Sequence, residues 1–226
     1  MQRWQSKLVG LLDWVMESSC ALCDRPTATG WCLDCQRQVQ QCQTKEHLLG
    51  KADPVFAWGL YAGALKRSIT ALKYNNQPKL ARPLGQWLGE AWNSTIPAAN
   101  SPAAKSLLVM PIPMHQDKQK QRGFNQAELI AEAFCEQTQL SLERRALIRI
   151  RATEAQFSLA ANAREQNLAG AFQVNSTFRN RSSRSVLLID DIYTTGATAR
   201  AAIQALQQQG LSVWGIAAVA RAGTQN

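Results

Sequence analysis

Asp190 and Asp191 are adjacent carboxylates. After two intervening residues comes a run of small ones, Thr194, Thr195, Gly196, Ala197 and Thr198. An acidic pair repels phosphate, but it accepts hydrogen bonds from a vicinal diol and suits a Mg2+ ion held close by. A small-residue run that opens a helix favours the opposite charge. Its first backbone N–H groups have no partner inside the helix, and they carry the positive end of the dipole. Thr194, Thr195 and Thr198 add hydroxyl donors, and Gly196 lets the backbone approach a phosphate closely. A ligand with a diol at one end and a terminal phosphate at the other is a ribose 5-phosphate. The residues alone also admit a plain helix start beside a chance acidic pair. A Walker-type nucleotide loop lacks support, because no GxxxxGK[ST] occurs in the chain.

A buried element must hold these groups in place. Val186 to Ile189 is an unbroken apolar run, as expected of a parallel strand covered on both faces, and open α/β sheets bind ligands at the carboxyl ends of their strands. Ser106 to Met110 forms a second such run and ends at Pro111-Ile112-Pro113. The spacing then predicts a basic loop over His115 to Arg122 and a helix from about Asn125 to Thr138. Lys118, Lys120 and Arg122 can neutralise a pyrophosphate, and Gly123 permits a tight approach; a solvated basic loop with an ordinary helix start is the alternative. His115 in this loop and His47 elsewhere have no partner that marks either as a general base.

Cys20-x2-Cys23-x8-Cys32-x2-Cys35 is two CxxC knuckles, spaced so that four thiolates can close a tetrahedral zinc site. A disulfide or redox pair and free thiols are the other readings. Four thiolates on Zn2+ carry a net charge of −2, which makes this unit a poor grip for nucleic acid by itself. Cys42 is a further thiol of open role, and Cys135 lies on an apolar helix face as a core residue.

The segment from Val186 to Thr198 resembles the phosphoribosyl pyrophosphate motif of type I phosphoribosyltransferases. With Pro111-Ile112-Pro113, the basic run and Arg122-Gly123-Phe124-Asn125-Gln126, the chain resembles the ComF family. Leu72-Lys73-Tyr74 fits as well, as do Arg151, Thr153 and Gln156 with Arg164 and Asn167 before Gly170-Ala171-Phe172, and the N-terminal cysteine pairs. The resemblance covers almost the whole chain. It implies an α/β type I phosphoribosyltransferase fold, a parallel sheet flanked by helices, behind a small zinc-ribbon-like module. Residues 1–50 would be the N-terminal helix and the four-cysteine zinc module, and residues 51–226 the phosphoribosyltransferase-like domain.

Carried over by resemblance, Asp190 and Asp191 bind the ribose hydroxyls and Thr194 to Thr198 bind the 5′-phosphate. Arg122, Gly123 and Lys73 face the pyrophosphate with Mg2+, and Cys20, Cys23, Cys32 and Cys35 hold structural zinc. Arg122 with the acidic pair would then carry any phosphoribosyl transfer, in which pyrophosphate leaves C1 through a cationic transition state. The family implies a role in DNA uptake, competence or use of DNA as a nutrient, with single-stranded DNA and membrane-associated uptake machinery as partners. An orthodox phosphoribosyltransferase and a non-catalytic sensor of phosphoribosyl pyrophosphate are the alternatives. The chain departs from the family after its second knuckle, where relatives often carry a further CxxC and this chain has only Cys42.

The remaining composition agrees with this. With 226 residues, 46% of them hydrophobic, the chain can bury a sizeable core without disulfides. The net charge of +9 lies wholly beyond residue 50, since residues 1–50 carry five Lys/Arg and five Asp/Glu. The larger part therefore has the basic surface and expects an anionic partner. Arg144, Arg145, Arg149 and Arg151 form one basic cluster, and Arg179, Arg181 and Arg184 another. Both are read either as solvated surface or as a path for single-stranded DNA, with Tyr74, Phe124 and Tyr193 available to stack on bases. Trp4, Leu8, Leu11 and Val15 recur at helical spacing, so the N-terminus reads as an amphipathic docking helix rather than a signal peptide, with a cytoplasmic location that could be peripheral to the inner membrane. Lys51 to Pro54 reads as the domain boundary, and Asn93 to Lys105 as a loop. The polar stretch from Arg144 to Ala171 shows no clear period.

Overall fold

The computed structural model describes residues 19–50, 54–96, 106–152, 168, 170–178 and 184–223. The expected N-terminal helix, Arg179 and Arg181, and Thr153, Gln156, Arg164 and Asn167 lie outside them.

In chain order the elements are α1 (Leu33–Gln40), β1 (Leu48–Leu49), β2 (Val55–Leu60), α2 (Gly63–Tyr74), a 3-10 turn (Pro78–Leu80) and α3 (Ala81–Thr95). Then follow β3 (Leu108–Pro111), α4 (Gln116–Arg122), α5 (Gln126–Thr138), β4 (Ser141–Leu142), β5 (Leu147–Arg149) and β6 (Phe172–Val174). The chain closes with β7 (Val186–Tyr193), α6 (Ala197–Gln207) and β8 (Val213–Arg221). Six strands form one sheet in the order β1-β2-β8-β7-β3-β4. Only the short β1 runs antiparallel to its neighbour. The mainly parallel α/β sheet expected from the alternating strand and helix patterns is therefore present.

The strand order contains a switch point. From β3 the chain passes through α4 and α5 to β4 on one side, and from β7 it passes through α6 to β8 on the other. The two connections leave in opposite directions from adjacent strands, so a crevice opens where the carboxyl ends of β3 and β7 meet. Both loops singled out in the sequence follow these two strands.

The apolar runs are buried as expected, and their alternation sorts the core into two faces. Leu187 and Ile189 of β7 pack with Val109, Phe56 and Ala217 under α2, α3 and α5. Val186 and Leu188 pack with Met110 and Ile216 under α6 and the β5–β6 pair. The second face accounts for part of the polar stretch from Arg144 to Ala171. β5 and β6 pair antiparallel with each other, outside the main sheet, and three-residue strands leave too little alternation to detect.

Two local expectations fail. Asn93, Ser94 and Thr95, expected at the start of a loop, are the last residues of α3. His115 to Arg122 is not a loop, because Gln116–Arg122 is helical. The segment Gln-Asp-Lys-Gln-Lys-Gln-Arg buries no residue, so it has no apolar stripe to reveal its period, yet Gln, Lys and Arg are good helix formers. His115 is its N-cap and accepts from the Asp117 N–H at 3.4 Å. Gly123 ends it in the left-handed region at φ +85°. A Cβ at Gly123 would meet nothing within 4 Å, so backbone conformation, not crowding, asks for glycine there.

The cysteine-bearing segment shares a core with the main sheet. Trp31 is buried and stacks on Trp87 at 5.4 Å, and Trp87 stacks on Trp58 of β2 at 5.3 Å. The Trp31 indole N–H donates to the Ser68 hydroxyl of α2 at 3.1 Å. Stacked aromatic pairs contribute about 0.5 to 1.5 kcal/mol each beyond their buried area.

Candidate functional site

β7 runs beyond its apolar core and carries both acids inside the strand, just before its carboxyl end. Strand alternation then separates them. Asp191 points to the face of α2 and α5, where its Oδ2 lies 2.5 Å from Lys73 Nζ and its Oδ1 accepts from Gln126 Nε2 at 3.3 Å. It is only 3% exposed. Asp190 is partly buried, and it lies close enough to Arg149 of β5 for its charge to support that guanidinium against the burial that pulls it down. Asp190 Oδ1 also accepts from the Asp191 N–H at 2.8 Å.

The electrostatics follow from these placements. Burial opposes the charged forms of Lys73 and Asp191, but each outweighs that cost by its charge on the other: the Lys73 ammonium is held above its ordinary range and the Asp191 carboxyl below its own. Burial, with the neighbouring Asp191 charge, pushes the Asp190 carboxyl well above its usual range. A cation or hydroxyl donors brought to the Asp190 carboxyl would favour its ionised form and so offset that shift.

Arg122, at the end of α4, donates to Gln126 Oε1 and lies with its guanidinium 5.7 Å from the Tyr74 ring centre. Lys73 and Tyr74 thus reach the site from the end of α2, and Arg122 and Gln126 from the connection after β3. Asn125 fixes the start of α5: its side chain donates to the Ile112 carbonyl at 3.1 Å and accepts from the Ala127 N–H at 3.1 Å. Lys118 and Lys120 lie on α4. The network joins Leu72-Lys73-Tyr74, Arg122 to Gln126 and the acidic pair at one place. Gln126 had no assigned role from sequence, because an amide carries no charge pattern; its only signal was its place in the Arg-Gly-Phe-Asn-Gln segment.

The small-residue loop turns into α6 at Gly196, which caps the helix with φ +77°. A Cβ there would fall on the Tyr193 hydroxyl and the Arg200 guanidinium. Thr194 and Thr195 are exposed, Thr198 is partly exposed, and the Thr195 hydroxyl accepts from the Ala197 N–H at 3.4 Å. Arg200 donates to the Thr195 carbonyl at 2.8 Å, tying the loop to the first turn of the helix.

Arg144, Arg145, Arg149 and Arg151 do not form one surface patch. Arg144 pairs with Glu132 at 3.0 Å and with Glu128 at 3.6 Å, whereas Arg149 lies on β5 with its guanidinium 5.5 Å from the Phe172 ring centre. Arg184 donates to Ser141 at 2.7 Å.

The four sulfur atoms of Cys20, Cys23, Cys32 and Cys35 all lie within 4.8 Å of one another. Tetrahedral zinc with bonds of about 2.3 Å sets ligand sulfurs roughly 3.8 Å apart, so this donor set fits the ion. Cys23 and Cys32 stand at 3.6 Å. The Arg25 backbone N–H draws the Cys23 thiol down to about 6, while burial pushes Cys35 up. Arg25 also donates to Asp34 at 2.8 Å on the rim of the cluster. Cys42 stands apart, its thiol against the Gln38 and Ala62 carbonyls at 3.5 and 3.6 Å. Among the described residues no helix is long and apolar enough to cross a membrane.

No family model matches the chain. It is 28% identical over 168 residues to competence protein F of Haemophilus influenzae, covering 73% of this chain and 72% of that protein. It is 27% identical over 202 residues to DNA utilization protein YhgH of Escherichia coli, covering 86% and 82%, and 25% identical over 193 residues to competence protein ComFC of Bacillus subtilis, covering 84% and 72%. The similarity runs over most of both chains, and the relatives it reaches carry the names competence protein F, DNA utilization protein YhgH and competence protein ComFC.

Proposed function

We propose that the protein binds phosphoribosyl pyrophosphate, with Mg2+, in the crevice at the ends of β3 and β7, on a type I phosphoribosyltransferase fold, and that it serves competence or DNA utilisation. The observation that carries the reading is the strand order, which sets the basic connection after β3 and the acid-then-threonine connection after β7 on the two sides of one switch point. In this reading the amides and hydroxyls of Thr194 to Thr198 take the 5′-phosphate. Asp190 accepts from the ribose hydroxyls with Asp191 behind it, and Arg122, Gly123 and Lys73 meet the pyrophosphate. Asp191 is committed to Lys73 and Gln126. Mg2+ would therefore rest mainly on ligand phosphate oxygens, with Asp190 as its protein partner, as this ion often binds.

Calorimetry of phosphoribosyl pyrophosphate with Mg2+ tests the site. Wild type is expected to bind, and Asp190→Ala and Thr198→Val to weaken binding at least tenfold; a wild-type protein that releases no binding heat would remove the reading. Binding of single-stranded DNA rests on the names of the relatives and on the basic charge beyond residue 50. Arg144 is taken up by Glu128 and Glu132, so this reading puts a stacked base on exposed Tyr74 beside Arg122, at the rim of the crevice. Filter binding of single-stranded oligonucleotides over a salt series tests this, and no retention at low salt would end it.

A further inference from the structure

We propose that Gln126 is a positioning residue, whose side-chain amide bridges Asp191 and Arg122 and so fixes where the Arg122 guanidinium stands in the crevice. The inference rests on the reading of Arg122 as a pyrophosphate partner, and it specifies what holds that arginine.

Residue chemistry makes the bridge selective. Ionised Asp191 can only accept and Arg122 can only donate, so the residue between them must donate at one atom and accept at the next. A glutamine amide does both without charge: Nε2 donates to Asp191 Oδ1 at 3.3 Å, and Oε1 accepts from Arg122 Nη1. A glutamate would set one carboxylate against another, a lysine would set its cation against the guanidinium, and a leucine would leave both neighbours unserved. Gln126 is 9% exposed, so water is a poor substitute partner. Its backbone is held as well, since it is the first residue of α5 and follows the doubly bonded N-cap Asn125.

The bridge also closes a ring. Asp191 Oδ2 holds Lys73, the next residue Tyr74 lies beside the Arg122 guanidinium, Arg122 donates to Gln126, and Gln126 returns to Asp191 Oδ1. Two otherwise mobile cationic side chains from α2 and α4 are thereby referred to one carboxylate on the rigid central strand. Holding charged groups in place before the ligand arrives is what a pyrophosphate site needs, because no reorganisation is then required on binding.

The test uses the full chain and two readouts. Without ligand, NMR of the labelled Arg122 guanidinium reports rotation about its Cζ–Nη bonds; wild type is expected to rotate slowly. Gln126→Met, close in volume, should free that rotation and, by leaving both neighbours unserved, lower the thermal midpoint by about 2 to 4 °C. Gln126→Glu keeps an acceptor for Arg122 but sets a carboxylate against Asp191, so it should keep slow rotation and lower the thermal midpoint, and Gln126→Glu/Asp191→Asn, which reverses the polarity of the contact between the two, should recover that loss. In calorimetry, Gln126→Met should weaken inorganic pyrophosphate with Mg2+ about tenfold while leaving ribose 5-phosphate unchanged. Unaltered Arg122 rotation in Gln126→Met, or equal weakening of both ligands, overturns the proposal. If wild type binds neither ligand, the reading of the crevice fails, and the rotation measurement still decides the bridge.

Discussion

Lys73 and Asp191 form a buried ion pair across the site, 2.5 Å apart, with side chains 19% and 4% exposed. It ties the end of α2 to the carboxyl end of β7, so one contact joins a helix edge to the central strand.

Removing one partner of such a pair leaves a buried charge without compensation, which costs about 3 to 5 kcal/mol. Lys73→Met is expected to lose about 3 kcal/mol in urea unfolding, and Lys73→Met/Asp191→Leu to recover more than half of that. Strictly additive losses in the double variant would refute the pairing.

The pH dependence separates the two acids. Asp191 is held below its ordinary value of 3.8, so its contribution is complete above that value and is lost as pH falls through the depressed one. Lys73 is held above 10.5, so its contribution is complete below that value and is lost as pH rises through the raised one. The pair is therefore insensitive to pH across the neutral range. Asp190 behaves in the opposite sense: its carboxyl is raised, so its ionised form opposes folding at neutral pH. Asp190→Asn should raise the thermal midpoint at pH 7 to 8 by about 2 to 4 °C, as a 1 kcal/mol change does in a chain of this size. That gain should disappear below pH 3.8, where the carboxyl is protonated in both states. A gain that stays constant with pH would contradict the assignment.

Metal analysis of the purified protein should give a single Zn2+ ion per chain, carried by Cys20, Cys23, Cys32 and Cys35. Because Cys20, Cys35 and Trp31 lie in the same core cluster as α2 and α3, chelation should lower the main thermal transition rather than melt a separate module. Trp31 fluorescence should shift to the red as its stacking on Trp87 loosens. A main transition untouched by chelation would show that the cluster bears no load.

Trp31→Ala should cost about 3 to 5 kcal/mol, the usual range for deleting a buried indole, and it also leaves the Ser68 hydroxyl without its donor. Trp31→Phe keeps the stack but loses that hydrogen bond, so it should cost about 1 kcal/mol. Equal losses in the two variants would mean that the stacking contributes little.

Gly196→Ala places a Cβ at φ +77° against Tyr193 and Arg200. The strain of that conformation alone is about 1 to 2 kcal/mol. Binding of ribose 5-phosphate should weaken with it, since the same turn aims the first amides of α6; affinity unchanged in this variant would detach the loop from the ligand.

Local chemistry was legible in the sequence wherever a pattern is short. The apolar runs of β3 and β7, the periodic faces of α2, α3 and α5, the cysteine spacing and the Asp190 to Thr198 segment each lie within a few residues. Elements without such a pattern were not legible: α4 buries nothing, and β5 and β6 are three residues long.

What the sequence determined by itself was which groups are available: an acidic pair at a strand end, a run of small hydroxyl residues before a helix, cations after the earlier strand and four cysteines spaced as a zinc donor set. Only the tertiary structure decided which groups meet. Strand order set the β3 and β7 connections side by side, and strand alternation turned Asp191 toward α2 and α5 and Asp190 toward β5. Gln126 reaches Asp191 across 65 residues of chain. Residue type and spacing fix what a side chain can do and which face of its own element it takes; pairing across such separations depends on how whole elements bury their apolar faces against one another.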